Sequence, residues 1–151
     1  MTAVDVDLER RIQLIEDRFA IRELTARYNR AVDEGRAEDL AACFTEDCEY
    51  WIDRGGRLTA GREHIANMSR VIGFGTVHFT IDANIEVDGD TATQVCHNLC
   101  AVRTKERTPG TSRWNVTGRY YDKLVRDPEA GWLFRERVWV PDAIVEGLPE
   151  W

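Results

Sequence analysis

The sequence predicts an α+β fold in which N-terminal helices pack in a strongly curved antiparallel sheet, and this sheet forms a cone with an interior pocket. Two observations predict it. Up to about residue 72, apolar residues recur mostly at spacings of three and four, which is typical of amphipathic helices. From Thr76 onward the apolar period changes to two, which is typical of half-buried strands. Helices followed by a run of strands indicate α+β, and a pocket under a curved sheet is the default binding site.

The whole chain, residues 1–151, is expected to be one domain, because its length suffices for a single hydrophobic core. We predict that this core covers about residues 8–140. Pro141 and Pro149 bracket the remaining segment, so residues 141–151 are predicted to be a loose C-terminal tail.

Composition argues against several kinds of partner. The net charge of −7 disfavours nucleic acid, whose phosphates need a basic patch. No apolar run approaches the roughly 18 residues of a membrane span. The first ten residues also lack the basic and apolar regions of a secretory signal. We therefore expect no nucleic-acid or membrane partner and, by default, a cytoplasmic location with reduced cysteines.

Three helices are predicted in the first half of the chain. The longest covers residues 7–34 and precedes Gly35, a residue suited to a left-handed C-terminal cap. Its apolar phase shifts near residues 19–21, which predicts a bend or two successive helices. A short second helix is predicted at 37–44 and a third at 61–72.

The predicted strands begin with a short one at 48–52, which a turn at Gly55 and Gly56 follows. From residue 76 onward a long strand alternates up to Val87, where Asp88-Gly89-Asp90 is a hairpin signal. The remaining strands are predicted at 91–103, 112–126 and 132–140.

Asp33 and Tyr28 are candidate catalytic residues at the end of the long helix. A carboxylate in the last turn faces the negative end of the helix dipole, where helix stability alone favours Lys or Arg. Tyr28 lies five residues earlier, so it points about 140° away from Asp33 at about 100° per residue. The two side chains must therefore reach a common partner from different walls of a cavity. An exposed acid and an interior tyrosine are the alternatives.

His78 is the candidate general base, because histidine has an ordinary pKa that suits proton transfer near neutral pH. Asp33 could accept its ring N–H and fix its tautomer, as the carboxylate does in a catalytic triad. Strand alternation is the objection. His78 shares its parity with Thr80 and Asp82, which predicts a surface histidine. A bulge near the start of the strand would reverse its facing.

Further residues are candidates for lining the pocket, since aromatic side chains supply apolar area and Tyr and Trp add one polar atom each. Core packing is the alternative for most of them. The predicted substrate-binding residues are Tyr50, Trp51, Asn98, Trp114, Tyr120 and Trp139. His97 is predicted to be a core histidine, because Val95 and Leu99 share its strand face.

No cofactor and no metal are expected. The chain contains no Gly-x-Gly-x-x-Gly, Walker loop, Gly-x-Ser-x-Gly or His-Glu-x-x-His motif. Its cysteines lack a Cys-x-x-Cys spacing, and its three histidines form no ligand cluster with them. Acid–base chemistry without a cofactor and plain ligand binding are the functions that remain.

Several short segments, spread over about residues 8–140, carry a resemblance to a known family. They are AIRELTARY at 20–28 with AVD at 31–33, LAACFTEDCEY at 40–50, GREHI at 61–65, VHF at 77–79, IEVDGDTA at 85–92, GRY at 118–120 and GW at 131–132. As an ordered set they resemble the SnoaL-like branch of the nuclear transport factor 2-like superfamily, whose members have a cystatin-like α+β cone. Within it the chain is similar to bile acid 7α-dehydratases and hexachlorocyclohexane dehydrochlorinases, and more distantly to scytalone dehydratases.

This resemblance implies a cofactor-free dehydratase, or a related lyase or isomerase, that acts on an apolar cyclic small molecule. It implies that His78 takes a C–H proton, that Asp33 supports His78 and that Tyr28 helps the leaving group. A homodimer or homotrimer is also implied. The similar enzymes carry an arginine near the pocket in the last strand region, and Arg137 is a match whose register stays open.

Two other functions stay open. The chain could be a non-catalytic ligand-binding or assembly module, as the small subunits of ring-hydroxylating dioxygenases are in the same superfamily. It could also be a polyketide-type cyclase, which would use the same acid–base residues on a different substrate. Fold resemblance alone does not decide among them.

Overall fold

A computed structural model describes residues 3–52, 56–72, 76–102 and 113–142. The helices are α1 (Ala3–Asp33), α2 (Ala37–Ala41) and α3 (Arg62–Ile72). The strands are β1 (Phe44–Ile52), β2 (Gly56–Ala60), β3 (Thr76–Asp88), β4 (Thr91–Val102), β5 (Arg113–Asp127) and β6 (Gly131–Pro141). The predicted α+β fold is confirmed. Most of the predicted tail, from residue 143 onward, lies outside the described residues.

The six strands form one open sheet in the order β2-β1-β6-β5-β4-β3. Neighbouring strands run antiparallel except β1 and β6, which are parallel, so the sheet is mixed rather than purely antiparallel as predicted. The edge strand β2 was not predicted, because the glycines before it indicate a turn. The helix α1 contacts β3 and β6 and thereby covers one face of the sheet. Neither α1 nor any other helix in the described ranges is long and apolar enough to cross a membrane.

The helix α1 is continuous over 31 residues, so the predicted alternative of two successive helices is wrong. The shift in apolar phase marks instead the point where the apolar side chains of the helix change from exposed to buried. The first half carries an exposed apolar stripe, formed by Leu8, Ile12, Ile15 and Phe19. After this stripe the buried face begins at Ile21 and Leu24, both fully buried. The second half of α1 therefore supplies most of the helix's contribution to the core.

The end of α1 aims Asp33 at the start of β3. Gly35 adopts a φ of 67°, a left-handed conformation that a Cβ would disfavour, so the predicted cap is confirmed. The N–H of Arg36 donates to the carbonyl of Ala31 at 2.8 Å, and the N–H of Gly35 donates to that of Val32 at 3.2 Å. This pair of bonds is the Schellman motif, which ends the helix within one residue of Asp33.

Strand β3 contains a bulge between its two halves. Asp82 and Ala83 together stand opposite the single β4 residue Cys96. Asp82 adopts a φ of 55°, a left-handed conformation that aspartate tolerates better than most residues. Because two residues oppose one, the inward and outward positions of β3 exchange across the bulge.

This exchange turns His78 inward. After the bulge the odd-numbered Ile85 is buried, as alternation predicts. Before it the odd-numbered Phe79 and Ile81 are each 47% exposed. The even-numbered Thr80 faces α1, where its hydroxyl accepts a hydrogen bond from the Asn29 amide at 3.0 Å. The parity objection to His78 is therefore removed by the bulge.

Candidate active site

The site is built around a hydrogen-bonded contact between a histidine at the start of β3 and a carboxylate at the end of α1. The ring Nδ1 of His78 lies 2.7 Å from Oδ1 of Asp33. The backbone N–H of His78 donates to Oδ2 of the same carboxylate at 2.8 Å, and the Thr76 hydroxyl donates to Oδ1 at 3.3 Å. Three donors therefore converge on Asp33, and they hold its carboxylate in one orientation.

This geometry defines which tautomer the neutral histidine adopts. A carboxylate accepts hydrogen bonds and cannot donate them, so the His78 nitrogen that faces it carries the proton. When the ring is neutral, its lone pair is therefore on Nε2, the nitrogen that a general base needs. The side chains are only 11% and 13% exposed for His78 and Asp33, which shields the pair from bulk water.

A cavity of about 180 Å³ opens beside His78. It is lined largely by apolar side chains, to which a few hydroxyls, one amide and one indole add polar atoms. The lining residues are Tyr28, Val32, Leu40, Tyr50, Ile52, Met68, Ser69, Thr76, His78, Asn98, Cys100, Tyr120 and Trp139. Tyr28 and His78 reach the cavity from α1 and β3, while Asp33 stands behind His78.

Three tyrosines face one another on the cavity wall. The rings of Tyr28 and Tyr120 meet edge to face, with centroids 6.1 Å apart. Burial raises the pKa of Tyr50 and of Tyr120 well above 10, and the neighbouring Tyr28 phenol adds to both increases. Tyr50 and Tyr120 are therefore neutral at physiological pH, and their hydroxyls can donate protons in hydrogen bonds.

Arg137 lies fully buried next to the tyrosines. It donates from Nε and Nη2 to the two carboxylate oxygens of Asp122, at 2.7 and 2.9 Å. Its guanidinium carbon stands 4.0–4.2 Å from the ring centroids of Phe134, Tyr28 and Tyr120. Burial lowers the pKa of Arg137, but Asp122, together with Tyr28 and Tyr120, more than compensates and keeps this pKa well above its usual range. This cation therefore organises the tyrosine rings rather than lining the cavity.

Gly118 makes room for the Trp139 indole on the adjacent strand. A Cβ at residue 118 would lie 3.0 Å from the indole Nε1 and 2.5 Å from the backbone oxygen of Val140. The second distance involves backbone, so a side chain at this position could be accommodated only by moving β5 away from β6.

We predict that Gly118→Ala destabilises the protein by about 1–3 kcal/mol, the usual cost of overpacking. Gly56→Ala is the matched control, because its Cβ would meet only an ordinary contact at 3.7 Å. Urea unfolding followed by circular dichroism at one protein concentration compares the two. Equal unfolding midpoints would contradict the predicted close approach.

Comparison with known proteins now assigns the chain to a family. The SnoaL-like domain model matches residues 13–138, which is most of the chain. The protein belongs to the SnoaL-like domain family. An uncharacterised protein of Mycobacterium tuberculosis, Rv2910c, is 30% identical over 130 residues, which cover 82% of this chain and 84% of the relative.

Solved structures of other proteins share this fold. A nuclear transport factor 2-like protein from Novosphingobium aromaticivorans, with a cystatin-like fold, is 31% identical and superposes with a TM-score of 0.79 over 93% of this chain and 92% of that one. A candidate scytalone dehydratase from the same bacterium is 26% identical, with a TM-score of 0.71 over 87% of each chain. The predicted family and cystatin-like fold are confirmed.

Four of the predicted substrate-binding residues line the cavity of this SnoaL-like protein, namely Tyr50, Asn98, Tyr120 and Trp139. Trp51 does not, because successive residues of β1 point to opposite faces. It lies instead in a groove of about 400 Å³ on the other face of the sheet, beside Tyr121 and Val138. The side chain of Trp114 lies outside the described residues. The roles of all six residues in substrate binding stay predictions.

His97 is not the core histidine that was predicted. Its side chain is 43% exposed, and its Nε2 accepts a hydrogen bond from Arg119 at 3.2 Å. The inward positions of β4 are the even-numbered ones, such as Cys96 and Asn98, both buried. Val95 and Leu99, which share its face, therefore lie on the outer side of the sheet. The prediction was wrong because it took these apolar neighbours as a sign of the core.

Seven residues that line the cavity were not predicted from the sequence, namely Val32, Leu40, Ile52, Met68, Ser69, Thr76 and Cys100. Thr76 shares the parity of His78 in β3, which is a signal that could have indicated it. Ser69 and Met68 come from α3, whose docking over the cavity has no local signal. Cys100 lines the cavity as a free thiol, and burial raises its pKa. Within the described residues, no group of three His, Cys, Asp or Glu side chains is arranged to hold a metal.

Proposed function

We propose that this SnoaL-like protein is a cofactor-free lyase that removes water from a small cyclic alcohol by acid–base catalysis. One observation carries the proposal. A histidine is oriented by a carboxylate 2.7 Å away, and this histidine lines a cavity that is otherwise mostly apolar and contains tyrosine hydroxyls. A base on one wall and neutral hydroxyl donors on the others are the groups that an elimination requires.

The proposed step transfers one proton from the substrate to the protein and another from the protein to the substrate. Nε2 of His78 accepts a proton from a C–H bond of the substrate, and the electron pair of this bond forms a C=C bond. The neighbouring C–O bond breaks, and its hydroxyl takes a proton from a tyrosine, Tyr28 in our assignment, to leave as water. The imidazolium then returns its proton to the tyrosinate, so the protein ends unchanged. Asp33 stabilises the imidazolium during the reaction.

The size of the cavity supports a substrate with one or two rings. A volume of about 180 Å³ is close to that of an engineered 150 Å³ cavity that binds benzene, and it is below the usual range for larger ligands. The similarity to a candidate scytalone dehydratase supports dehydration as the reaction type. In a β-hydroxy ketone the leaving hydroxyl is on the carbon next to an acidic C–H group. A neutral imidazole is a strong enough base to abstract such a proton.

The experiment that tests the proposal compares the wild type with His78→Gln against a panel of monocyclic and bicyclic β-hydroxy ketones. Product formation is followed by ultraviolet absorbance of the enone, and C–H exchange by NMR in D₂O. We predict that glutamine, which cannot act as a base here, lowers turnover and exchange by about 10²- to 10⁴-fold.

His64→Gln is the matched control, because His64 lies exposed on α3. It is expected to leave turnover unchanged. Equal turnover by the wild type and His78→Gln would refute the assignment of the base. Ligand binding without turnover or exchange across the panel would instead favour the binding-module alternative.

A further inference from the structure

Polar atoms on the cavity wall lack partners. Nε1 of Trp139, Oδ1 of Asn98 and Oγ of Ser69 are shielded from solvent, and none has a hydrogen bond among the described residues. Asn98 and Ser69 are only 2% and 1% exposed. Since nearly all buried polar groups in proteins are hydrogen-bonded, unpaired atoms on a cavity wall indicate that the occupant of the cavity supplies the missing bonds.

Two of these atoms belong to residues that neighbour Gly118 of β5. Gly118 of β5 pairs directly with Asn98 of β4, and side chains of such a pair stand side by side on the same face. The indole Nε1 of Trp139 lies 3.0 Å from the position that a Cβ of Gly118 would occupy. The indole N–H of Trp139 and the amide of Asn98 therefore both lie next to Gly118, and both residues line the same cavity.

Asn98 also lies near the histidine. Asn98 pairs with Thr80 of β3, and His78 is two residues earlier on the same inward face. A ligand atom held between Asn98 and Trp139 is therefore close to the ring that takes the proton in the proposed reaction.

We infer that Trp139 and Asn98 form a subsite for one hydroxyl group of a cyclic ligand. An indole N–H can only donate, while an amide oxygen accepts. A hydroxyl satisfies both, because its oxygen accepts from Trp139 and its hydrogen is donated to Asn98. A ketone oxygen would satisfy only the indole, and a methyl group neither. The inference rests on the proposed function in that it takes the cavity beside His78 as the substrate site.

The first test uses three probes of one shape that differ only at a single ring carbon, namely indanol, indanone and methylindane. Affinity for the wild-type protein is measured by isothermal titration calorimetry, with each indanol enantiomer tested separately. We expect the better indanol enantiomer to bind about ten- to a hundredfold more tightly than methylindane, as two net hydrogen bonds imply, and more tightly than indanone. Indanone binding as tightly as indanol, or methylindane doing so, would overturn the inference.

The second test assigns the preference to the two residues. Trp139→Phe keeps an aromatic ring without the N–H, and Asn98→Leu keeps the shape without the amide. Each is expected to reduce the indanol-to-methylindane ratio to a few-fold. Trp51→Phe is the control, because Trp51 faces the opposite groove, and it is expected to retain the full ratio. In the wild type, NMR should show a downfield shift of the Trp139 indole N–H with indanol and a negligible shift with methylindane.

The outcomes separate this inference from the proposed function. If indanol is preferred through Trp139 and Asn98 while His78→Gln leaves turnover unchanged, the subsite is supported and the assignment of His78 as the base is refuted. If turnover requires His78 but the three probes bind equally, the proposed lyase function is supported and the subsite is refuted. His78→Gln itself is expected to leave the indanol preference intact, because neither partner of the hydroxyl is changed.

Discussion

Asp33→Asn is expected to lower turnover of the proposed elimination by as much as about 10⁴-fold, with little change in fold. The asparagine oxygen can still accept the backbone N–H of His78, which Oδ2 of Asp33 accepts at 2.8 Å. The amide NH₂ would then face Nδ1 of the ring and donate to it. Nδ1 would become the acceptor, so the proton would move to Nε2 and the base would lose its lone pair on the cavity side. Steady-state kinetics on the best ketol of the panel measures the loss.

The tautomer itself can be observed without a substrate. The ¹⁵N chemical shifts of the His78 ring are expected to show a protonated Nδ1 in the wild type and a protonated Nε2 in Asp33→Asn. Glu34→Gln is the matched control, because this neighbouring carboxylate is exposed and pairs with Arg36 instead. Identical ring shifts in the wild type and Asp33→Asn would contradict the orienting role that the geometry assigns to Asp33.

Arg137→Met is expected to destabilise the protein by about 3–5 kcal/mol, the cost of leaving one buried charge without its partner. Asp122 would keep one donor, the Gln94 amide at 2.8 Å, and lose both bonds from the guanidinium. The rings of Tyr28, Tyr120 and Phe134 would also lose the cation that they surround. Urea unfolding at a fixed protein concentration measures the change in the free energy of unfolding.

Two further variants separate charge from packing. Arg135→Met, on the same strand, removes an exposed guanidinium that pairs with Asp47, and should change stability by about 1 kcal/mol or less. The double variant Asp122→Leu with Arg137→Met removes both buried charges and is expected to recover most of the lost stability. A double variant as unstable as the single one would show that shape, not an unpaired charge, explains the loss.

The prediction of the site depended on residue types more than on pattern. Asp33 was indicated by a carboxylate in the last turn of a helix, where its charge opposes the helix dipole. Its role as the partner of His78 could be suggested from chemistry, but their distance could not, because 45 residues separate them. Strand alternation even argued against His78, since Ile85 and Val87 define the inward parity and the bulge at Asp82 was not visible in the apolar pattern.

The positions of Trp51 and His97 were predicted wrongly for a related reason. Trp51 and His97 were assigned by side-chain type or by apolar neighbours, which do not reveal which face of a sheet is covered by helices. Both residues lie on the face away from α1. Arg137 was identified in the sequence, but only the register of β5 against β6, which pairs Arg137 with Asp122, shows that it is buried in an ion pair.

The sequence by itself determined the order of helices and strands apart from β2, the cap at Gly35, the hairpin at Asp88–Asp90 and the family resemblance. These depend on local periodicity, on turn chemistry and on short segments that occur in a fixed order. Only the tertiary structure decided that His78 meets Asp33, that the cavity is small, and that Trp139 and Asn98 both line it next to Gly118. Each of these depends on strand register and on one bulge, because a shift of one residue turns every side chain of a strand to the opposite face.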